Sequence, residues 1–458
     1  MFRELGKRTG LREPHRDRRR YASVVGGSVP LPTARVVDRS ASAPAEKSTR
    51  ANRLVQLRID VPLLMTIIAL LVVGIIMVYS ASYDYSIKYY KDPMTIFLRQ
   101  VMWLGLGVVV MSVLALVDYH IWRPLAVFAM AGTILMLLVV VFQGQVLNGA
   151  SRTMIAGSVQ PSELAKLVMI IYLAVWLHAK REHLGDVWFG LAPLAVILGL
   201  MSGLVALQPD FSVVITLMVL GGLLFFVAGG DLRQIGLLLA IALLVGFLVV
   251  TLTPTGSARL SEYLAGLKDP TEASFQIRRS FEAFTRGGWL GVGIGKGEVK
   301  LTGLPVPQTD SIFAVVGEEL GTLGALGLVG LYVSLLWRGM VVARRAPDQL
   351  GSLLAAGMTF WLITEAFINM AVMVNLIPFA GNALPFISSG GSNLVMSMAA
   401  VGIILNVSRL AEKRGREEGN LVNAALNLRG WNGRRRVSGA GRPAGAADPV
   451  QPTAVRRR

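Results

Sequence analysis

Residues able to carry chemistry are sparse in this chain, and one acid stands out by its position. The 458 residues include no cysteine, which excludes disulfides, thiolate metal sites and cysteine nucleophiles. Asp310 lies in the segment LPVPQTDSIFAVVGEELG (304–321), where a long connection enters an apolar stretch. An acid at the edge of hydrocarbon is costly and is by default a functional candidate. An Asp at this place could also cap the following helix, and capping is compatible with catalysis.

A second charged group lies inside an apolar segment, at QPSELAKL (160–167). Glu163 and Lys166 are three residues apart, so a helix places them on one face, where they can pair. Arg99, at the start of an earlier apolar stretch, is a candidate third member. Because an unpaired charge inside a membrane is unfavourable, we expect a structural ion pair, with separate action on a substrate as the alternative.

Cations accumulate in the connection that precedes Asp310. Lys300 lies ten residues before it, and Arg278 and Arg279 belong to a segment in which three apolar residues share one helical face: Ile277, Phe281 and Phe284. This pattern predicts an amphipathic helix lying on the membrane surface. Cations near a carboxylate at a lipid surface suit a substrate with an anionic headgroup, such as a lipid-linked pyrophosphate. Snorkelling of each Arg to lipid headgroups is the alternative.

Two irregular segments flank these charges. The run GGWLGVGIGKG (287–297) lacks the G-K-[ST] ending of a Walker loop and the G-x-G-x-x-G spacing, so nucleotide binding is unsupported. It predicts either a turn that lets backbone approach a helix or the lipid surface, or a backbone-amide cradle for a phosphate. The uncharged run PFAGNALPFISSGGSNL (378–394) predicts a re-entrant or cavity-lining turn, because irregular backbone at membrane depth must be buried in protein or line water.

The elements that must position these residues are membrane spans. Only 16% of the residues are charged, against about a quarter in a soluble chain, and repeated apolar stretches reach the length of about 20 residues that a helix needs to cross a bilayer. We expect an all-α polytopic membrane protein of about ten transmembrane helices, with a long extracytoplasmic loop (253–310) between helices 7 and 8. The predicted spans are 61–80, 100–117, 122–142, 162–178, 189–206, 211–228, 234–252, 311–337, 353–376 and 392–408.

The net charge of +17 is concentrated at the two ends of the chain. Lys and Arg exceed Asp and Glu by eight in residues 1–60 and again by eight in residues 409–458. Basic segments beside membrane spans follow the positive-inside rule, which places both termini in the cytoplasm and makes binding to nucleic acid an unnecessary explanation. We therefore expect a disordered basic tail at 1–57, a membrane domain at 58–410 and a second basic tail at 411–458 that is disordered at its end.

Histidine is confined to one side of the membrane in this topology. All four histidines fall in the cytoplasmic tail or near cytoplasmic ends of spans: His15, His120, His178 and His183. A Ser-His-Asp hydrolase or a His-rich zinc site on the outer face is therefore excluded. Proton chemistry on that face must use a carboxylate.

Several segments, in their order along the chain, resemble the SEDS family, the shape, elongation, division and sporulation proteins, over residues 60–410. The segments that carry the resemblance are VYSAS (78–82), Arg99-Gln100, NGASR (148–152), QPSELAKL (160–167), LQPDF (207–211), FQ (275–276), the glycine-rich run, PQTDSIFAVVGEELG (307–321) and LPFISSGGSNL (384–394). The family's acidic motif, H-T-D-F-I-F-A, aligns on Asp310. Gln308 stands where the family has His, and Ser311 where it has Phe, but the acid itself is kept.

The resemblance implies a ten-helix fold and peptidoglycan glycosyltransferase activity on lipid II at the outer leaflet of the cytoplasmic membrane, with the Asp310 carboxylate as the catalytic base. It also implies substrate contacts from Lys300, Arg152, Gln276, Arg279, Ser389, Gly390, Gly391 and Ser392. The implied partners are a class B penicillin-binding protein, which is a transpeptidase, and divisome proteins. The resemblance implies no particular cofactor, and a divalent cation, Mg²⁺ or Mn²⁺, is an open alternative to basic side chains for stabilising a departing pyrophosphate.

Three alternatives to a division polymerase stay open at this point. The first alternative is a RodA-like elongation polymerase. Long basic tails at both ends are more similar to the FtsW-like division members of the family than to the RodA-like elongation members. A lipid II flippase is the second alternative, and a non-catalytic scaffold for a transpeptidase is the third. A flippase needs a route open alternately to both faces, often built from inverted repeats, and the sequence has no convincing internal repeat.

Overall fold

The structure covers the predicted membrane domain and part of the second tail. A computed structural model of the chain describes residues 60–143, 145–147, 150–153, 160–208 and 210–431. The basic tail expected at 1–57 and the end of the second tail lie outside the described residues.

Helices make up most of the described chain, together with one short antiparallel hairpin. The helices are α1 (Val61–Tyr90), α2 (Thr95–Leu116), α3 (Trp122–Gln143), α4 (Pro161–Ala179), α5 (Ala192–Ala206), α6 (Phe211–Val227), α7 (Leu232–Leu252), α8 (Pro254–Lys268), α9 (Phe275–Gly287), α10 (Ile312–Glu319), α11 (Gly321–Arg344), α12 (Gln349–Met373) and α13 (Gly391–Trp431). Between α3 and α4, strands β1 (Gln145–Leu147) and β2 (Ala150–Thr153) pair with each other.

Nine helices in the described ranges are long and apolar enough to cross a bilayer. The remaining predicted span, 211–228, corresponds to α6, which is apolar but has only 17 residues. Two helices exceed their predicted spans by at least ten residues, since α1 continues to Tyr90 and α13 continues to Trp431. The expected fold class, an all-α polytopic membrane protein, is confirmed.

Three helices form the centre of the bundle. Within the most apolar window of each helix, 67% of the residues are buried in α4, 72% in α12 and 78% in α13, against 6% in α7. The helices α4, α12 and α13 therefore contact mainly protein, whereas α7 presents most of its surface to lipid. Polar side chains on α4, α12 and α13 must find their partners inside the protein, because hydrocarbon offers none.

One predicted span is divided in two. The expected helix 311–337 is α10 followed by α11, and the helices meet at Gly321, whose φ is 70°. A Cβ at this glycine would collide with the backbone of Trp289 and Gly291. Because glycine adopts positive φ without strain and has no Cβ, Gly321 both turns the chain and lets the glycine-rich run 287–297 pack against the turn.

The amphipathic segment forms the helix α9, but its apolar face does not lie on lipid. Ile277 is buried, and the ring of Phe284 packs edge-on against Phe313 of α10, with the ring centroids 5.6 Å apart. The Ser280 hydroxyl donates to the carbonyl of Met373 on α12, at 2.7 Å. The prediction of a helix resting on the membrane was wrong, because the apolar stripe is used to dock α9 on α10 and α12.

A close contact between α1 and the turn before α13 gives a test of this packing. A Cβ on Gly74 would collide with the carbonyl oxygen of Phe386, whose own φ is 68°. Gly74→Ala is expected to destabilise the protein by about 1–3 kcal/mol, the usual cost of overpacking a dense interior. Thermal unfolding in detergent measures the effect.

The matched control is Gly105→Ala, in the middle of α2, where no atom lies within 4 Å of an added Cβ. This substitution should leave the melting temperature unchanged or raise it, because Ala favours the helix over Gly by about 1 kcal/mol. Equal destabilisation by both substitutions would contradict the packing described for Gly74.

Candidate active site

A charge cluster lies at the centre of the bundle, on helices α4 and α12. Lys166 is fully buried, and its Nζ lies 2.8 Å from Glu163 Oε2. The same ammonium group forms an ion pair with Glu365, which is also fully buried. The amide of Asn393, on α13, donates to Glu163 at 3.1 Å and to Glu365 at 3.3 Å. The cluster therefore joins the three candidate membrane spans that are most buried among those in the described ranges.

The predicted pairing of Glu163 with Lys166 is confirmed, but the predicted third member is wrong. Arg99 is exposed, and its guanidinium lies over the ring of Tyr90, 5.9 Å from the centroid. Glu365 takes the third place instead. The sequence contained a signal for it, since Glu365 is the one charged residue in the predicted span 353–376, but local spacing could not connect it to Lys166.

Residues outside the Asp310 segment hold it through three hydrogen bonds, which are accepted by the carbonyl groups of three successive residues. The backbone N–H of Ser389 donates to the carbonyl of Gln308 at 2.7 Å, and the Ser388 hydroxyl donates to the carbonyl of Thr309 at 2.7 Å. The Asn369 amide donates to the carbonyl of Asp310 at 2.9 Å. This segment is therefore positioned by α12 and by the turn before α13.

The carboxyl group of Asp310 lies against Gly381. A Cβ built on Gly381 would be 2.9 Å from Asp310 Oδ2, so the carboxyl group occupies the space that a larger residue would fill. The N-cap position of α10 is taken by Ser311, not by Asp310. The half-buried Asp310 side chain thus reaches toward the irregular segment between α12 and α13.

Two further predicted residues, Gln276 and Ser389, lie beside this segment. Gln276 on α9 donates its amide to the Ser311 hydroxyl at 2.7 Å, and that hydroxyl donates to the carbonyl of Pro305 at 2.7 Å. Ser389 contributes the backbone N–H described above. The structure therefore brings Gln276 and Ser389 to the Asp310 segment, while their contact with a substrate stays a prediction.

The turn before α13 is irregular but enclosed. Phe386, Ile387 and Ser388 are buried, as expected for irregular backbone at membrane depth. The Ser392 hydroxyl accepts a hydrogen bond from the backbone N–H of Gln160 at 3.2 Å. Of the two predicted glycines, Gly391 packs so closely against the indole of Trp103 that a Cβ would collide with it, whereas Gly390 has room.

The predicted cations are held by neighbouring residues. The side chain of Lys300 is only 4% exposed, and its Nζ lies 2.6 Å from Glu319 Oε1 and 2.7 Å from the Ser80 hydroxyl. Arg279 forms an ion pair with Glu282 and a hydrogen bond with the Thr302 hydroxyl. The side chain of Arg152, in β2, lies outside the described residues. The roles of these three cations in substrate binding stay predictions.

Sequence reasoning missed Arg259, a cation of α8. It lies beside Phe379, in the segment that the Asp310 side chain approaches. Its guanidinium carbon is 5.2 Å from the centroid of the Phe379 ring, and an N–H donates to the Phe379 carbonyl at 3.5 Å. Phe379 is two residues from Gly381, which Asp310 approaches. No local pattern marked Arg259, because its position follows from how α8 folds back over this segment.

The glycine-rich run and the two residues that follow it bind carboxylates of the protein itself. The N–H of Gly295 donates to Glu319 at 3.0 Å, and the N–H groups of Glu298 and Val299 donate to Glu318 at 2.8 and 3.1 Å. These amides therefore anchor the C-terminal end of α10. This arrangement supports the interpretation of a turn that approaches a helix, not that of a phosphate cradle.

A metal site of side chains is not evident in the described part of the chain. There, no group of three or more His, Cys, Asp or Glu residues is placed to hold a metal ion.

The fold and the site define a polytopic helical membrane protein that presents an acid beside an enclosed polar turn, above a buried charge cluster. Residues 62–413 match the model of the FtsW/RodA/SpoVE family, described as cell cycle proteins. The chain belongs to this family.

Similar proteins support this membership. A "Probable peptidoglycan glycosyltransferase FtsW" of Geobacter sp. (strain M18) is 37% identical over 354 residues, covering 76% of this chain and 96% of the relative. "Stage V sporulation protein E" of Bacillus subtilis (strain 168) is also 37% identical, over 356 residues, covering 76% of this chain and 97% of the relative.

Solved structures show the same fold. A chain of a structure described as "Structural coordination of polymerization and crosslinking by a peptidoglycan synthase complex" is 28% identical, with a TM-score of 0.64, and covers 78% of this chain and 99% of its own length. The rod shape determining protein RodA of Thermus thermophilus is 25% identical, with a TM-score of 0.58, and covers 77% and 98%.

The charge cluster makes a testable prediction about coupling. Lys166→Met leaves two buried carboxylates facing each other, and loss of one partner of a buried pair costs about 3–5 kcal/mol. Glu365→Gln should also destabilise the protein. The double variant should lose less unfolding free energy than the sum of the two single losses, because removing Glu365 lessens the carboxylate repulsion that Lys166→Met leaves. A double-mutant cycle on thermal unfolding measures this.

The exposed pair Arg414–Glu418 on α13 is the control for this cycle. Arg414→Ala should change the melting temperature little, because exposed pairs contribute little to stability. Strictly additive effects of Lys166→Met and Glu365→Gln would show that the two residues do not act as one cluster.

Proposed function

We propose that this protein is a peptidoglycan glycosyltransferase that polymerises lipid II into glycan strands on the outer face of the cytoplasmic membrane, for septal synthesis in cell division. The observation that carries the proposal is the Asp310 carboxyl group, presented beside Gly381 by a segment whose carbonyls are held at three successive residues. The names of the relatives support the reaction class.

Asp310 is the base in the proposed reaction. It accepts the proton of the GlcNAc 4-hydroxyl of one lipid-linked glycan, and that oxygen attacks the anomeric carbon of MurNAc on the second. A new glycosidic bond forms, the bond from the anomeric carbon to the phosphate oxygen breaks, and undecaprenyl pyrophosphate leaves with the bonding electrons. A carboxylate suits this task when it reaches within about 3 Å of the hydroxyl group.

The departing pyrophosphate needs positive charge, and Arg259 is the cation best supported for this role. Arg259 binds the Phe379 carbonyl and ring close to Gly381, with a guanidinium fork suited to phosphate oxygens. Stabilising this developing charge is the larger electrostatic part of the reaction.

The orientation follows from the charges at the ends of the bundle. Asp310 lies at one end, and α1 begins at the other, where Arg338 pairs with Asp60. With the basic tails in the cytoplasm, as the positive-inside rule requires, the Asp310 end faces outward, where lipid II is polymerised. A class B penicillin-binding protein transpeptidase and divisome proteins are the proposed partners, in keeping with the peptidoglycan synthase complex among the similar structures.

The alternatives differ in what they require of the centre of the bundle. An elongation polymerase would use the same site. A flippase requires charged groups that face a path, whereas Lys166 and Glu365 are fully buried against each other. A scaffold has no need of an acid held like Asp310.

Loss of the base is the direct test of this proposal. Asp310→Asn keeps the shape of the side chain but cannot accept the proton, so polymerisation is expected to fall by at least about 100-fold, the usual contribution of a general base. Purified protein, with and without a cognate transpeptidase, is incubated with lipid II and scored for glycan polymer.

The matched control is Asp269→Asn, an exposed acid in the same connection that caps a turn at Thr271. It should retain activity. Near-normal polymer from Asp310→Asn would refute the base, and retained lipid II binding without polymer would separate the polymerase from the scaffold.

Removal of the proposed phosphate ligand makes a second test. Arg259→Gln is expected to lower kcat/KM for lipid II by about 100-fold, because a donor aimed at developing charge is lost. Arg345→Gln, which removes the same charge at the opposite end of the bundle, should leave kcat/KM unchanged. If both variants behave alike, the departing pyrophosphate is stabilised elsewhere.

A further inference from the structure

One polar side chain of α12 holds the peptide group that follows Asp310. Asn369 is only 1% exposed, deep among apolar residues. Its amide nitrogen donates to the carbonyl of Asp310 at 2.9 Å and to the carbonyl of Asn382 at 2.6 Å. Burying an amide is costly unless it is hydrogen-bonded, and here both N–H groups are used on two irregular segments of the chain.

The orientation of this amide is determined by its surroundings. Its Oδ1 accepts no hydrogen bond from any residue in the described part of the chain. Rotating the amide by half a turn would place that oxygen against two carbonyl oxygens, which repel it. The nitrogen therefore faces Asp310 and Asn382, so the side chain acts as a donor and not as an acceptor.

The contacts on either side of Asp310 fix the direction of its side chain. The peptide group before Asp310 is held through the carbonyl of Thr309 by the Ser388 hydroxyl, and the peptide group after it is held by Asn369. Because peptide groups are planar, holding both of them determines φ and ψ of the residue between them, and so the direction of its Cα–Cβ bond.

Of these anchors, Asn369 is the one that comes from within a membrane-spanning helix. The Asn382 amide in turn donates to the carbonyl of Glu365, one helical turn from Asn369, at 3.1 Å. The Asp310 segment is thereby connected to the helix that carries the buried charge cluster. Helices hold the geometry of a site more precisely than loops alone do.

We propose that Asn369 is a positioning residue, which sets the reach of the Asp310 carboxylate toward the acceptor hydroxyl without touching the substrate. This inference rests on the proposed role of Asp310 as base. A displacement of about 1 Å at a reacting group lowers turnover by roughly 100-fold. Substrate affinity is unaffected, because it depends on contacts elsewhere.

The test compares two isosteric substitutions, Asn369→Leu and Asn406→Leu. Leu has the branching and size of Asn without the donors, so neither change opens a cavity. Asn406 is the matched control because it too is fully buried in a span and bonds two backbone groups, Tyr119 N–H at 3.0 Å and the Ala115 carbonyl at 2.9 Å, at the opposite end of the bundle. Lipid II polymerisation is measured as kcat and KM, together with thermal unfolding.

Asn369→Leu should lower kcat by about 100-fold with KM for lipid II within about twofold, while Asn406→Leu keeps kcat within about threefold at a similar loss of melting temperature. The proposal is overturned if the two variants lose kcat equally, or if Asn369→Leu raises KM alone. Should Asn369→Leu not accumulate, Asn369→Ala is compared with Asn406→Ala in the same way.

Asp310→Asn in the same assay separates this inference from the proposed function. If Asp310→Asn retains activity, Asp310 is not the base, and the positioning role proposed for Asn369 is refuted as well. If Asp310→Asn is inactive but Asn369→Leu behaves like Asn406→Leu, only the positioning role is refuted.

Discussion

Neutralisation of Lys166 inside the bundle is the constraint on which the rest of the structure depends. A cation at membrane depth is tolerated only beside compensating charge, and here Glu163 and Glu365 supply it from α4 and α12. A buried ion pair adds little net stability compared with apolar packing, but breaking one is expensive. The cluster therefore favours the one arrangement of α4, α12 and α13 that brings its members together.

The same requirement extends from the cluster to the Asp310 segment. Irregular backbone at membrane depth cannot be left without partners, and the turn between α12 and α13 is satisfied by side chains and by neighbouring loops. Asn382 bonds the carbonyl of Glu365, Asn369 bonds Asn382 and Asp310, and Ser388 bonds Thr309. A continuous set of hydrogen bonds thus joins the helix of the charge cluster to the residue proposed as the base.

Most other charged residues near this end of the bundle hold elements together. Lys300 joins α1 to α10 through Ser80 and Glu319, and Glu318 binds the backbone after the glycine-rich run. Their charges are neutralised by neighbours in the protein. The Asp310 carboxyl group lies against Gly381, in the space that glycine leaves. Lys300, Glu318 and Glu319 therefore have a structural role here, whereas Asp310 has the proposed catalytic one.

Much of this protein could be predicted from the sequence by itself, since hydropathy marks the spans and helical spacing pairs Glu163 with Lys166. The position of Asp310 at the entrance to a helix was equally visible. Only the tertiary structure decided that Glu365, 199 residues from Lys166, completes the cluster, that α9 docks on protein, and that Asn369 holds Asp310. Periodicity reports which face a residue occupies, but partners distant in the chain are chosen by how the helices pack.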